Sequence, residues 1–189
     1  AIRPQAADRL NGKFERARET MLEMGYSPTI GGTDAMAMRA AKNDALASAL
    51  LSGSNQSVNK YKVADRVIPV LDSVGNSPLP KSATNTVTDA MSEFLSHPKL
   101  HGTSDIPVQL AQAMKQRAYK EMGDSAYGIG LKPAAERDTL KALARGLKEE
   151  IEGVVPSVAP INAETSALLN AKKVAQRRAF VEANNNPVS

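Results

Sequence analysis

The residues with chemical potential fall in a few short clusters, and the spacing within each decides what it can do. Gly123-Asp124-Ser125-Ala126-Tyr127 sets a serine two residues behind a glycine, as in a nucleophile elbow. That turn needs glycine two residues on each side of the serine, because its backbone is too tight for side chains there. Tyr127 fills the second position, Gly128 comes one residue too late, and no strand pattern precedes the segment. It reads as a linker between helices. His97 and His101 are the only imidazoles and stand four apart, the spacing of a helical metal pair. Pro98 lies between them, no glutamate follows His97, and Asp105 adds only one carboxylate on the same loop. Zinc sites ask for more ligands and stricter geometry, so the pair reads as exposed loop histidines.

Glu149, Glu150 and Glu152 bring carboxylates together, as glycan cleavage requires. Neighbouring residues on a helix point about 100° apart, so Glu149 and Glu150 cannot flank one bond. Gly128-Ile129-Gly130 lacks the third glycine of a dinucleotide fingerprint and the Lys-Ser/Thr of a phosphate loop. The remaining cluster is Lys172, Lys173, Arg177 and Arg178, basic residues with no acid among them. On a helix Lys173 and Arg177 lie close together and Lys172 flanks them. Arg178 falls on the opposite side, in line with Ala171, Val174 and Val181. Lys172, Lys173 and Arg177 are therefore the expected contacts for a phosphate or an acidic partner. No catalytic residue, no metal site and no cofactor is expected.

Composition narrows the classes further. The chain has 189 residues, 42% of them hydrophobic and 23% charged, enough to bury a core in one domain or two small helical ones. There is no cysteine, which excludes disulfides, thiolate metal sites, iron–sulfur clusters and cysteine nucleophiles. Aromatic residues are 4% with no Trp, too few for sugar grooves or base-stacking platforms. Lys plus Arg at 24 against Asp plus Glu at 20 gives a net charge of +4. That balance permits contact with nucleic acid without requiring it. No apolar run approaches the ~20 residues of a membrane span, so no membrane span is expected. The N-terminus lacks the layout of a secretory signal. Its start at Ala1 without Met predicts a processed form, a trimmed terminus or an excised piece.

Helices must position these clusters. Ala7, Leu10, Phe14, Ala17, Met21 and Met24 recur at spacings of three and four, the rhythm of a helix packed along a narrow seam. The pattern predicts a helix over about residues 5–24. Leu10, Phe14, Ala17, Met21 and Met24 form an expected assembly seam, facing another copy or the chain itself. After a turn at Gly31-Gly32, Thr33 or Asp34 is expected to cap an alanine-rich helix near 34–51. A helix to about residue 67 then meets Pro69, expected to hold Ile68 out of the α region and so to kink or restart the chain. Residues 75–82 read as a linker. Thr86 with Asp89 resembles a capping box for a helix ending before Pro98, and Ser104 or Asp105 is expected to open the next.

Pro133 starts a further helix with an apolar stripe of Leu140, Leu143, Ala144, Leu147, Ile151 and Val154. Pro156 and Pro160 bracket an expected extended bridge, and Asn162 is expected to cap the last helix. The stripe is expected to pair antiparallel with Ala167, Leu168, Ala171 and Val174. No segment alternates as a strand. The sequence predicts an all-α, multi-helix bundle of six or seven helices, possibly extended, with Pro-rich bridges. Its expected regions are 1–75, 76–131 with the linker, and a C-terminal helix pair with a polar tail over 132–189.

The stretch from Lys141-Ala142-Leu143-Ala144-Arg145-Gly146-Leu147-Lys148-Glu149-Glu150-Ile151 runs through Val155-Pro156 and Pro160-Ile161-Asn162-Ala163 to Leu168-Leu169-Asn170-Ala171 and Arg177-Arg178. It resembles a helix–proline bridge–helix segment of bacteriophage virion proteins and large phage polyvalent proteins. The ending Asn184-Asn185-Asn186-Pro187 is similar as well. The resemblance covers the last third of the chain, and its motifs are structural. It implies a non-enzymatic structural protein of the virion, of the internal or ejection kind. Such a protein packs as a homo-oligomer with other virion proteins of the portal or tail, touches DNA non-specifically, and enters the host cell during infection. The alternative from the residues is a helical nucleic-acid-binding module using Lys172, Lys173 and Arg177. Steep weakening with salt marks the second reading, because phosphate contacts release counterions.

Overall fold

A computed structural model of the chain describes the backbone of residues 4–27, 29–124 and 131–185, and side chains within 12–27, 29, 31–122 and 134–176. The fold is all-α. Helices α1 (Pro4–Glu23) and α2 (Ile30–Ser52) are followed by a short strand β1 (Ser57–Asn59) and α3 (Lys60–Ala64). Then come α4 (Ile68–Gly75), α5 (Pro80–Leu95), strand β2 (Asp105–Pro107), α6 (Val108–Asp124), α7 (Leu131–Val154) and α8 (Ala159–Asn185). Among the described residues all of these helices but α3 have eight residues or more, in line with the expected six or seven. No described helix is long and apolar enough to cross a membrane.

The chain forms two compact units whose limits differ from the expected regions. One unites Ala1–Ala47 with Ala159–Ser189, and the other is Ser48–Val158. The expected C-terminal helix pair is therefore split. Leu143, Leu147 and Ile151 of α7 are buried in the second unit, where α7 packs on α3, α5 and α6. Leu168 and Ala171 of α8 are buried in the first, where α8 packs along α1. Each apolar stripe is real, and each is covered by another partner.

In the first unit, Ala17 and Met21 of α1, Met36 and Ala40 of α2, and Leu168 and Ala171 of α8 make one core. The start of α2 corrects the expected cap. The Thr29 hydroxyl, not Thr33 or Asp34, accepts from the amide of Gly32 at 3.2 Å. Gly31 and Gly32 thus lie in the first turn of the helix. A side chain at Gly32 would collide with the backbone carbonyl of Ser27, so only glycine fits there.

In the second unit, Pro69 does not hold Ile68 out of the α region, since Ile68 has φ −53° and ψ −47°. A 3-10 turn over Asp65–Val67 explains why. The Ile68 amide donates to the carbonyl of Asp65, the group that Pro69 has no N–H to serve. Pro69 then sits in the first turn of α4, where the missing donor costs nothing. The same logic removes the extended bridge. Pro156 opens a 3-10 turn, Pro156–Val158, and Pro160 lies in the first turn of α8. Helix α8 begins before Asn162, which is buried inside it.

Pro80 starts α5 early, so Thr86 lies inside the helix and donates back to the carbonyl of Ser82 at 3.1 Å. Neither Ser104 nor Asp105 opens a helix. Asp105 pairs with Asn59 in an antiparallel ladder that centres on Val58 and Ile106, both buried. The ladder extends through the Lys60 amide to Ser104 and the Val108 amide to Gln56. Three-residue strands are too short to show alternation in sequence.

Helix α7 organises this unit, contacting α3, α4, α5, α6 and β1. Its closest approach is at Gly146. A methyl there would stand 2.8 Å from the Val63 carbonyl oxygen and 2.9 Å from Cγ of Arg66. Gly153, on the same helix, has nothing within 4 Å. Two substitutions of identical chemistry should then part ways. Gly146→Ala is expected to cost about 1–3 kcal/mol through overpacking, and Gly153→Ala to stabilise by up to about 1 kcal/mol through helix propensity. Urea midpoints of the two variants check this, and equal shifts would contradict it.

Candidate functional site

The expected seam of α1 turns inward over its described length. Ala17 and Met21 are buried in the core of the first unit, Met24 packs against that core, and Phe14 is half-buried. The seam is thus an internal surface at Ala17 and Met21, not an assembly face, because α2 and α8 of the same unit cover it. The side chain of Leu10 lies outside the described residues. Of the expected basic contacts, Lys173 is exposed on α8 and Lys172 half-buried beside it. The backbone of Arg177 continues the helix, and its side chain lies outside the described residues. Lys173 points away from the buried pair Leu168 and Ala171, whereas Lys172, four residues after Leu168, lies at the edge of the buried face.

The other clusters resolve into structural roles. Ser125 to Gly130 lie outside the described residues. His97 Nδ1 accepts from the Lys99 amide at 3.2 Å and caps a 3-10 turn, Pro98–Leu100, that buries Leu100. His101 follows that turn and is exposed. Among the described residues no three His, Asp or Glu side chains are placed to hold a metal ion.

Glu149 is the hub of an ion-pair cluster. One oxygen accepts from Arg145 at 2.7 Å, and the other from Arg66 at 2.8 Å. The Arg145 hydrogen bond, aided by Arg66, holds its carboxyl below the ordinary range. In the first unit Arg39 of α2 donates to Glu164 of α8 at 2.8 Å and lowers that carboxyl likewise. Lys60, unmarked in sequence, is buried. Its ammonium donates to the carbonyls of Leu95 at 3.1 Å and Leu100 at 3.4 Å. A cation there offsets the negative end of α5.

Two features remain that face solvent without a structural task. The first is α2. Its buried residues Met36, Ala40, Asn43, Ala47 and Leu51 follow a helical stripe. Met38 and Leu46 are 65% and 56% exposed on the other side, with Ala45 and Ala49 between and beside them. The second is a groove of about 810 Å³ in the second unit, floored by α7 and walled by α5 and α6. The two walls pack on α7 but hardly touch each other. Sequence reading missed the groove because its walls belong to different helices, and only the pairing of α5 and α6 with α7 brings them together.

The chain matches no family model, no curated protein and no solved structure.

The carboxylates give a pH dependence with a definite sign. A carboxyl lowered by folding stabilises above its ordinary value, here 4.5, and loses that contribution as pH falls through the lowered value. Melting temperature should drop below about pH 4.5 on this account. The double variant Glu149→Gln/Glu164→Gln should show a shallower acid slope than the parent, and an unchanged slope would contradict the assignment.

Proposed function

We propose that the chain is a structural protein of a bacteriophage virion, of the internal or ejection kind, that packs in multiple copies with DNA or with portal and tail proteins. The single observation that carries the assembly reading is the two-sided apolarity of α2. Buried Met36, Ala40 and Ala47 lie about 180° from exposed Met38, Ala45 and Ala49 around the helix. Exposed Asp34 and Lys42 flank this outer set, so α2 carries a second, narrow apolar stripe that another helix can cover. The alanines beside Met38 and Leu46 let another helix come close. The resemblance of residues 141–187 to phage virion segments supplies the setting, and the virion is the proposed location.

Helix α8 supports the DNA contact. Lys173 projects into solvent and Lys172 lies beside it, with Arg177 one turn further along. The same observation favours the second reading, a helical nucleic-acid-binding module without assembly. The two differ in their response to salt. Apolar association through α2 persists as ionic strength rises, whereas a few phosphate contacts weaken steeply.

Met38→Asp/Leu46→Asp should reduce the particle to single chains with helical circular dichroism retained. Lys173→Glu/Arg177→Glu should leave assembly intact and lower retention of duplex DNA at low salt. Sedimentation velocity and a filter-retention assay read these outcomes. A chain that stays single in the parent form would overturn the assembly reading, and unchanged DNA retention would remove the basic face from the account.

A further inference from the structure

We infer that the groove between α5, α6 and α7 is a docking site for a basic amphipathic helix of another protein. Three helices present matching stripes to one trough. Helix α5 contributes Asp89, Ala90, Glu93 and Phe94, and α6 contributes residues from Leu110 to Glu121 at helical spacing. Eleven residues of helix span about 17 Å, which accommodates about three turns of a ligand helix. The floor is apolar, with Leu143 and Leu147 buried and Leu140 half-buried. Phe94 and Met114 on the walls are likewise only half-buried. Because α5 and α6 hardly touch each other, the trough lies between them over α7. It is the gap a fourth helix fills when helices pack around α7.

Charge selects the occupant. The chain as a whole is basic, with a net charge of +4. The groove reverses that sign. Asp89, Glu93, Glu121 and Glu136 line it against Lys99 and Arg117. Arg117 is already paired with Glu121 at 2.6 Å. Asp89, Glu93 and Glu136 form no ion pair among the described residues. An apolar floor edged by carboxylates suits a helix that carries Leu-type side chains on one stripe and Lys or Arg on its flanks. An acidic helix would meet like charge at the same rim.

The test uses the full chain and a stapled Leu/Lys amphipathic peptide of about four turns, with its Leu/Glu counterpart as the opposite-charge probe. Fluorescence anisotropy measures binding. Asp89→Lys/Glu93→Lys reverses the rim on exposed positions of α5. Ala113→Trp, at an exposed position of α6 that lines the groove, places an indole in the trough without replacing a residue of the buried floor. Asp65→Lys/Asp72→Lys makes the same charge change on exposed residues outside the groove, and circular dichroism verifies helicity in each variant. The Leu/Lys peptide should bind the parent, both groove variants should weaken it by about tenfold or more, and the outside pair should leave it unchanged. The Leu/Glu peptide should not bind. Absence of binding, undiminished binding to Ala113→Trp, or an equal loss in the outside pair would overturn the proposal. So would a homo-oligomer that Ala113→Trp dissociates, since the occupant would then be a second copy.

Discussion

The second unit depends on how closely the chain can approach α7 at Gly146. Without a Cβ there, the backbone of Val63 and the stem of Arg66 lie against the helix. That contact places Arg66 within reach of Glu149, one turn further along α7. The ion pair is half-exposed and contributes little by itself. Its role is to fix the register of α3 and the 3-10 turn on α7. Lys60 then ties the start of α3 to the end of α5, and α5 is thereby held on α7 as one wall of the groove. A close backbone contact, a surface ion pair and one buried ammonium so define where the groove lies.

Helix existence was legible in the sequence, and helix partnership was not. The stripes of α1 and α7 were read from spacing alone, because a 3.6-residue period survives whatever covers it. The partners of those stripes depend on contacts between residues far apart in sequence. Leu168 and Ala171 meet Met21 rather than α7, and nothing local to either segment says so. Helix termini depart from the expected positions for a shared reason. Thr86, Asp105 and Asn162 are residue types that cap helices, but Thr86 and Asn162 lie inside helices that begin at Pro80 and Ala159, and Asp105 pairs with Asn59 in the strand ladder. The prolines misled in the opposite direction. Pro69, Pro80, Pro156 and Pro160 all occupy first turns, where a missing N–H is harmless, and they begin elements instead of interrupting them.

The candidate surfaces divide along the same line. Lys173 was identifiable, since a residue five positions after buried Leu168 and two after buried Ala171 faces outward on a helix. The exposed face of α2 was half-legible. Its alanine content announced close packing, but which side the fold covers emerges only from the burial of Met36, Ala40 and Leu51. The groove was illegible, being a product of three helices that need not have met. Its acidic rim opposes Lys172 and Lys173 of α8 in sign.

We propose that this protein works through helical surfaces in a multi-copy particle. The most direct test is the mass of the full chain in solution, by sedimentation velocity at low and moderate salt, with and without duplex DNA. The account predicts a multi-copy particle without DNA that persists at moderate salt and gains mass when DNA is added at low salt. A single chain at every protein concentration, whether DNA is present or absent, would contradict it.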